Sequence, residues 1–316
     1  MEKALRARET GHQSHRTFPV TETQTIPHAS AEPGILADLL DLTKARLNLL
    51  VLITTFVGYW MGSAGPIHWL RLIQAMLGTA LCAASAAAFN QLWEVKVDAL
   101  MTRTAGRPIV AGRLKKSAAF WIAVALGTAG TAWLALAVNF LSAALAASTI
   151  VIYVLIYTPM KRRTALCTLV GAVSGAIPPV VGWAAANPHL TLGAWVLFAV
   201  LFTWQMPHFL AIAWMYRDQY RGAGLIMLKS DDETGFATAA TSFAFTLLLT
   251  AATLVPFNAG PAGGTYLGGA LIINSVFFLA ALHFVADRSR PVARRLFFAS
   301  IIYLPLILGL MVFTKE

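Results

Sequence analysis

Apolar runs of roughly 20 residues recur nine times between Leu47 and Phe313. Each is long enough to cross about 30 Å of hydrocarbon as a helix. None shows the alternation of a strand, and inside lipid a helix satisfies all of its own backbone groups. The expected spans are Leu47–Met61, Leu70–Leu92, Ala118–Val138, Leu141–Tyr157, Leu166–Ala185, Leu192–Tyr216, Phe236–Val255, Leu267–Val285 and Leu296–Phe313. The first is short on this count and has room to begin nearer Leu42. Composition agrees, because 12% of residues are charged where a soluble domain carries about 25%. The fold class expected is an all-α membrane bundle of nine transmembrane helices.

Charge sets the topology. Of the 24 Lys and Arg residues, 22 fall in the first 46 residues or around the loops after spans two, four, six and eight. Arg71 and Lys315 are the exceptions. The intervening loops, such as Ser63-Ala-Gly-Pro-Ile-His, are short and nearly uncharged. Basic loops face the cytoplasm, so the N-terminus is expected inside and the C-terminus outside. The same clustering explains the net charge of +10 without nucleic acid, and no nucleic-acid-binding signature accompanies it.

Residues 1–36 read as a disordered cytoplasmic tail and 37–316 as the membrane domain. No apolar core precedes Ile35, which excludes a secretory signal peptide, and Glu2, Glu9, Glu22 and Glu32 set the tail apart from acid-poor mitochondrial presequences. Cys82 and Cys167 both lie inside apolar runs, as small packing residues do.

The chemistry concentrates in Asn90-Gln-Leu-Trp-Glu94-Val-Lys-Val-Asp98-Ala-Leu-Met-Thr-Arg103-Thr-Ala-Gly-Arg107-Pro. Asn90, Glu94 and Asp98 are four apart, so a helix carries them on one face, about 6 Å per step. Oxygen donors at this spacing suit Mg²⁺, which binds one or two carboxylates together with substrate phosphates. Arg103 and Arg107 supply forks that match phosphate oxygens. The ordinary alternative is a set of interfacial charges paired with neighbours.

This stretch resembles the first aspartate-rich motif of the UbiA-type intramembrane prenyltransferases, Asn-x-x-x-Asp-x-x-x-Asp, with Glu94 in place of the first aspartate. Leu42-Thr-Lys-Ala-Arg46, Tyr157-Thr-Pro-Met-Lys-Arg162, Gly175-Ala-Ile-Pro-Pro-Val-Val-Gly-Trp183, Trp204-Gln-Met-Pro-His-Phe209 and Tyr216-Arg-Asp218-Gln-Tyr-Arg resemble the branch of that family whose acceptor is haem. The resemblance implies transfer of a farnesyl group from farnesyl diphosphate to a vinyl group of haem B, for haem-copper terminal oxidases. It implies Mg²⁺ on Asn90, Glu94, Asp98 and Asp218, which are also the catalytic set, and diphosphate on Arg103, Arg107, Lys161, Arg162, Lys44 and Arg46. It also implies an inner-membrane enzyme with its active site toward the cytoplasm, in contact with other haem-synthesis or oxidase-assembly proteins. The family's second Asp-x-x-x-Asp motif is reduced, since Asp218 is followed at that spacing by Gly222.

Lys44, Arg46, Lys161 and Arg162 have a second reading as positive-inside anchors. Gln205 and His208, three apart in an apolar helix, read as one polar face, either for haem or as a hydrogen-bonded core. Pro178, Pro179 and Pro207 are expected to bend their helices. A sibling enzyme with an aromatic or quinone-precursor acceptor is the nearest alternative, and a secondary transporter the distant one. A transporter calls for midplane charges and duplicated halves, and neither is visible.

Overall fold

A computed structural model describes residues 34–228, 232–258 and 263–315. The expected tail lies outside the described residues up to Pro33. The described part is helical, without strands among the described residues. A short helix α1 (Ile35–Leu42) precedes nine spans: α2 (Ala45–Gly62), α3 (Trp69–Asp98), α4 (Lys116–Ala137), α5 (Phe140–Met160), α6 (Cys167–Ala186), α7 (Leu192–Met215), α9 (Phe236–Asn258), α10 (Gly264–Ala286) and α11 (Arg290–Phe313). A further short helix, α8 (Arg217–Gly222), follows α7.

Three boundaries differ from expectation for local reasons. The chain does not run as one helix from Leu42, because Lys44 turns it with a left-handed φ of 49°. Span two continues to Asp98, so the whole Asn90–Asp98 motif is helical. Span nine starts at Arg290, where Pro291 at the first turn spares an N–H that would have no partner. Asn139 caps α5 by accepting the Ser142 N–H at 2.8 Å. Asp232 does the same for α9 through the N–H groups of Ala237 and Thr238.

The helices α6 and α7 form the centre, with 72% and 67% of their central residues buried, against 22% for α4 and α5. In membranes, small residues let helices approach closely. Here a Cβ on Gly58 would lie 1.9 Å from the Pro179 carbonyl oxygen, and one on Gly182 equally close to that of Thr55. These glycines therefore permit the α2–α6 crossing. Both α6 and α7 run through their prolines as unbroken helices. Large rings fill the core, among them Trp204, Trp214, Phe277 and Phe284. Buried Asn274 is satisfied by Thr253 and Tyr303.

The two ends of the bundle differ. Lys44, Arg107, Lys161 and Arg290 all make contacts at one end. At the other, Lys315 donates to the carbonyls of Trp60 and Ser63 at the end of α2. This separation is what the alternating loop charges require.

Candidate active site

At the basic end, Asn90, Glu94 and Asp98 do share one face of α3, and 1%, 8% and 1% of each is exposed. Each meets a cation from a different segment. The Lys44 ammonium donates to Asn90 Oδ1 at 2.7 Å. Lys161 Nζ donates to Glu94 Oε1 at 2.8 Å. Arg107 pairs with Asp98 Oδ2. Three cations against two carboxylates leave the cluster with an excess positive charge. A buried ion pair adds little net stability over well-packed apolar residues, so two such pairs and a third cation on Asn90, all at one helix end, point to function.

Local structure aims these cations. The end of α5 widens into a π-helical turn over Ile152–Tyr157, and such turns often mark functional sites. Beyond it, Thr158 accepts from Asn90 Nδ2 at 3.2 Å and donates to the Tyr153 carbonyl. Lys161 sits 4.5 Å from the centre of the Tyr157 ring. Burial disfavours the Lys161 ammonium, but Tyr157 and Glu94 outweigh it and hold its pKa above the ordinary value. At Lys44 burial prevails, helped by Arg107 and Lys161, and the pKa falls below the ordinary value. The 99–115 loop is held by Arg113, which forks onto buried Asp38 of α1 at 2.8 and 2.9 Å and donates to the Gly106 carbonyl.

Other expected residues lie elsewhere. Asp218 does not join Asn90, Glu94 and Asp98. Its side chain is 67% exposed and pairs with Arg290 and Arg217, because the first turn of α8 points it toward the start of α11. No group of three His, Cys, Asp or Glu side chains able to hold a metal forms among the described residues. The α8 segment nevertheless roofs this end, since Ala223 and Leu225 pack on Val97 and Met101, and the Ile226 N–H donates to the Lys161 carbonyl at 2.7 Å. Arg46, Arg103 and Arg162 are exposed, and Arg103 lies 5.9 Å from the Tyr216 ring centre.

Gln205 and His208 turn to different neighbours. Gln205 turns to α6, donating to the Ala172 carbonyl at 3.2 Å while its oxygen abuts Gly175. Gln205 Nε2 also donates to the Leu201 carbonyl at 3.0 Å, so its contacts are made within the α6–α7 interface. His208 turns to α11, with Nδ1 2.8 Å from Ser300 Oγ. Its ring lies 4.9 Å from Trp204 and 5.0 Å from Phe297. The single Ser300 proton goes to the Phe297 carbonyl at 2.6 Å. With the proton there, Ser300 accepts from His208 Nδ1 and the imidazole lone pair lies on Nε2. Nε2 makes no hydrogen bond among the described residues and is not sealed from contact.

Sequence reading missed Thr158, Tyr157, Gln91, Asp38 and Ser300. An acid in the apolar stretch Ile35-Leu-Ala-Asp38-Leu-Leu was a usable signal. A serine in an apolar helix carries too little signal to single out.

The profile of the UbiA prenyltransferase family matches residues 51–302. A relative from Solibacter usitatus, named protoheme IX farnesyltransferase, is 43% identical, covering 88% of this chain and 98% of the relative. Among solved structures, digeranylgeranylglyceryl phosphate synthase aligns with a TM-score of 0.76 at 15% identity, over 88% of this chain and 98% of that one. A UbiA homologue from Archaeoglobus fulgidus bound to DMAPP and Mg²⁺ aligns at 0.63 with 13% identity, over 87% and 99%.

Proposed function

The chain belongs to the UbiA prenyltransferase family, and from that premise we propose that it transfers a farnesyl group from farnesyl diphosphate to a vinyl group of haem B, giving haem O. One observation supports this site above others: the three oxygen donors of α3, each facing a cation from another segment.

Asn90, Glu94 and Asp98 are hard oxygen donors on one buried face and fit Mg²⁺; Asp218, as placed here, does not complete the set. When bound, the ion neutralises charge on the leaving diphosphate. Lys44, Lys161 and Arg107 offer the phosphate oxygens ammonium and guanidinium donors already gathered at the cluster. Arg103, at the loop edge, adds a further donor. The C1–O bond of farnesyl diphosphate breaks, and diphosphate leaves with the electron pair. The vinyl π electrons form the new C–C bond to the allylic cation, and water adds to the resulting porphyrin-side cation with loss of a proton. Low water content among the helices protects the cation until it reacts. His208 offers its Nε2 lone pair to the haem iron, and the neighbouring rings suit a flat porphyrin. The basic end is assigned to the cytoplasm by its loop charges.

Membranes containing the protein, incubated with haem B and farnesyl diphosphate, are expected to yield a porphyrin heavier by one farnesyl and one hydroxyl group. An unchanged porphyrin mass, with prenyl transfer to an aromatic acid instead, overturns the assignment of the acceptor.

A further inference from the structure

We propose that Gln91 is a positioning residue for the diphosphate site, acting entirely through Lys44. Gln91 belongs to α3 and adjoins Asn90, but it points about 100° away around the helix, toward α1 rather than the cluster. Its Nε2 donates to the carbonyls of Asp41 at 2.7 Å and Leu42 at 3.3 Å. These are the last two residues of α1, whose C-terminal carbonyls have no partner within the helix. Directly afterwards the chain reverses at Lys44, the single non-glycine residue with positive φ among the described residues. Such a conformation is costly for a lysine and persists only where the surroundings enforce it.

The turn's own bond, from the Lys44 N–H to the Asp41 carbonyl at 3.0 Å, is flanked by Gln91 on one side and Asn48 on the other, whose Nδ2 donates to the Thr43 carbonyl at 2.7 Å. Loosening that turn widens the range of positions open to the Lys44 ammonium, which the bond to Asn90 alone must then hold. With the turn in place, the ammonium is delivered to Asn90 Oδ1 from a segment that would otherwise continue as a straight helix into α2. Adjacent residues of α3 thus hold the two ends of one device: Gln91 grips the backbone before the reversal, and Asn90 receives the side chain after it.

A second observation separates this role from plain packing. Gln91 is 1% exposed, yet its Oε1 has no hydrogen-bond partner among the described residues. A buried amide left half satisfied is poor stabilisation. A leucine of similar size would fill the same space without that cost. The residue is therefore explained by what its donor half does at Asp41 and Leu42.

The inference rests on the reading that Lys44 contacts diphosphate, and the test separates the two. Farnesyl diphosphate binding is measured on the full-length protein in lipid nanodiscs, without haem so that no turnover occurs, for wild type, Gln91→Leu, Lys44→Met and the double variant. Haem B binding and thermal midpoint are measured on the same samples. Gln91→Leu is expected to weaken farnesyl diphosphate binding about tenfold, with haem binding and midpoint held. In the Lys44→Met background, adding Gln91→Leu is expected to change nothing further. A multiplied loss in the double variant, or a parallel loss of haem binding, makes Gln91 a fold residue and overturns the proposal. If Lys44→Met weakens binding but Gln91→Leu does not, the proposal fails while the Lys44 reading stands. If Lys44→Met binds normally, both fail.

Discussion

Glu94 and Asp98 on α3 each face a protein cation, whereas His208 on α7 is held by a hydroxyl and flanked by aromatic rings. Both regions sit near the same end of the bundle. His208 is seven residues before the end of α7, roughly 10 Å along its axis, and Asn90 is at a similar depth in α3. One region concentrates charge in a protein that is otherwise poor in it. The other contains none and presents flat apolar surface around one nitrogen lone pair. A diphosphate needs the first environment and a porphyrin the second, so the reaction's two substrates correspond to two kinds of polar anchoring. Breaking either region should show up in one substrate and spare the other.

The largest effect is expected at Asp98. Asp98→Asn keeps the size of a buried side chain but removes the charge from the metal-holding face. Turnover is expected to fall by at least about 10²-fold, with normal abundance in the membrane and normal haem binding. Excess chelator should do the same to the wild type. Activity that survives both treatments would remove the metal from the scheme.

Next is Arg107→Ala, which takes away a phosphate-binding fork and also leaves Asp98 unpaired. The KM for farnesyl diphosphate should rise by about 10- to 100-fold, while haem affinity changes little. Asp38→Asn, which loosens the Arg113 fork on the same loop, should produce a smaller rise of the same kind. Equal loss for both substrates would mean that the loop supports the fold rather than the site.

The sequence carried the span count and the shared helical face of Asn90, Glu94 and Asp98, for a physical reason. Apolar length and loop charge are one-dimensional quantities, and a four-residue spacing fixes a helical face without tertiary knowledge. The packing was not legible. Helices such as α4 and α6 are apolar all round, so nothing in their patterns tells a lipid-facing side from a buried one. That is why Gln205 and His208 looked alike and yet turn to different neighbours. The position of Asp218 depends on a short helix whose first turn directs it to Arg290, 72 residues further on. Thr158 and Lys161 reach α3 because of a π-helical turn that no residue pattern announced.

His208→Ala tests the uncharged region directly. The absorption spectrum of bound haem should change and its affinity fall about tenfold, with farnesyl diphosphate binding held. An unshifted spectrum with full affinity would make His208 a packing residue among its rings.

The smallest and most specific effect concerns Ser300. With its hydroxyl proton on the Phe297 carbonyl, 2.6 Å away, it accepts from His208. In the neutral imidazole this puts the proton on Nδ1 and the lone pair on Nε2. Ser300→Ala removes the acceptor without removing the imidazole, and the ring remains between Trp204 and Phe297. Either nitrogen can then carry the proton, and only one of the two tautomers presents a lone pair at Nε2. The expected loss of haem affinity is therefore only a few-fold, with a heterogeneous spectrum in place of a uniform shift. Ser300→Thr, which keeps the hydroxyl, should restore both. A pure packing role predicts another pattern: a lowered thermal midpoint, a homogeneous spectrum and no rescue by threonine, since the added methyl group would disturb the contact further.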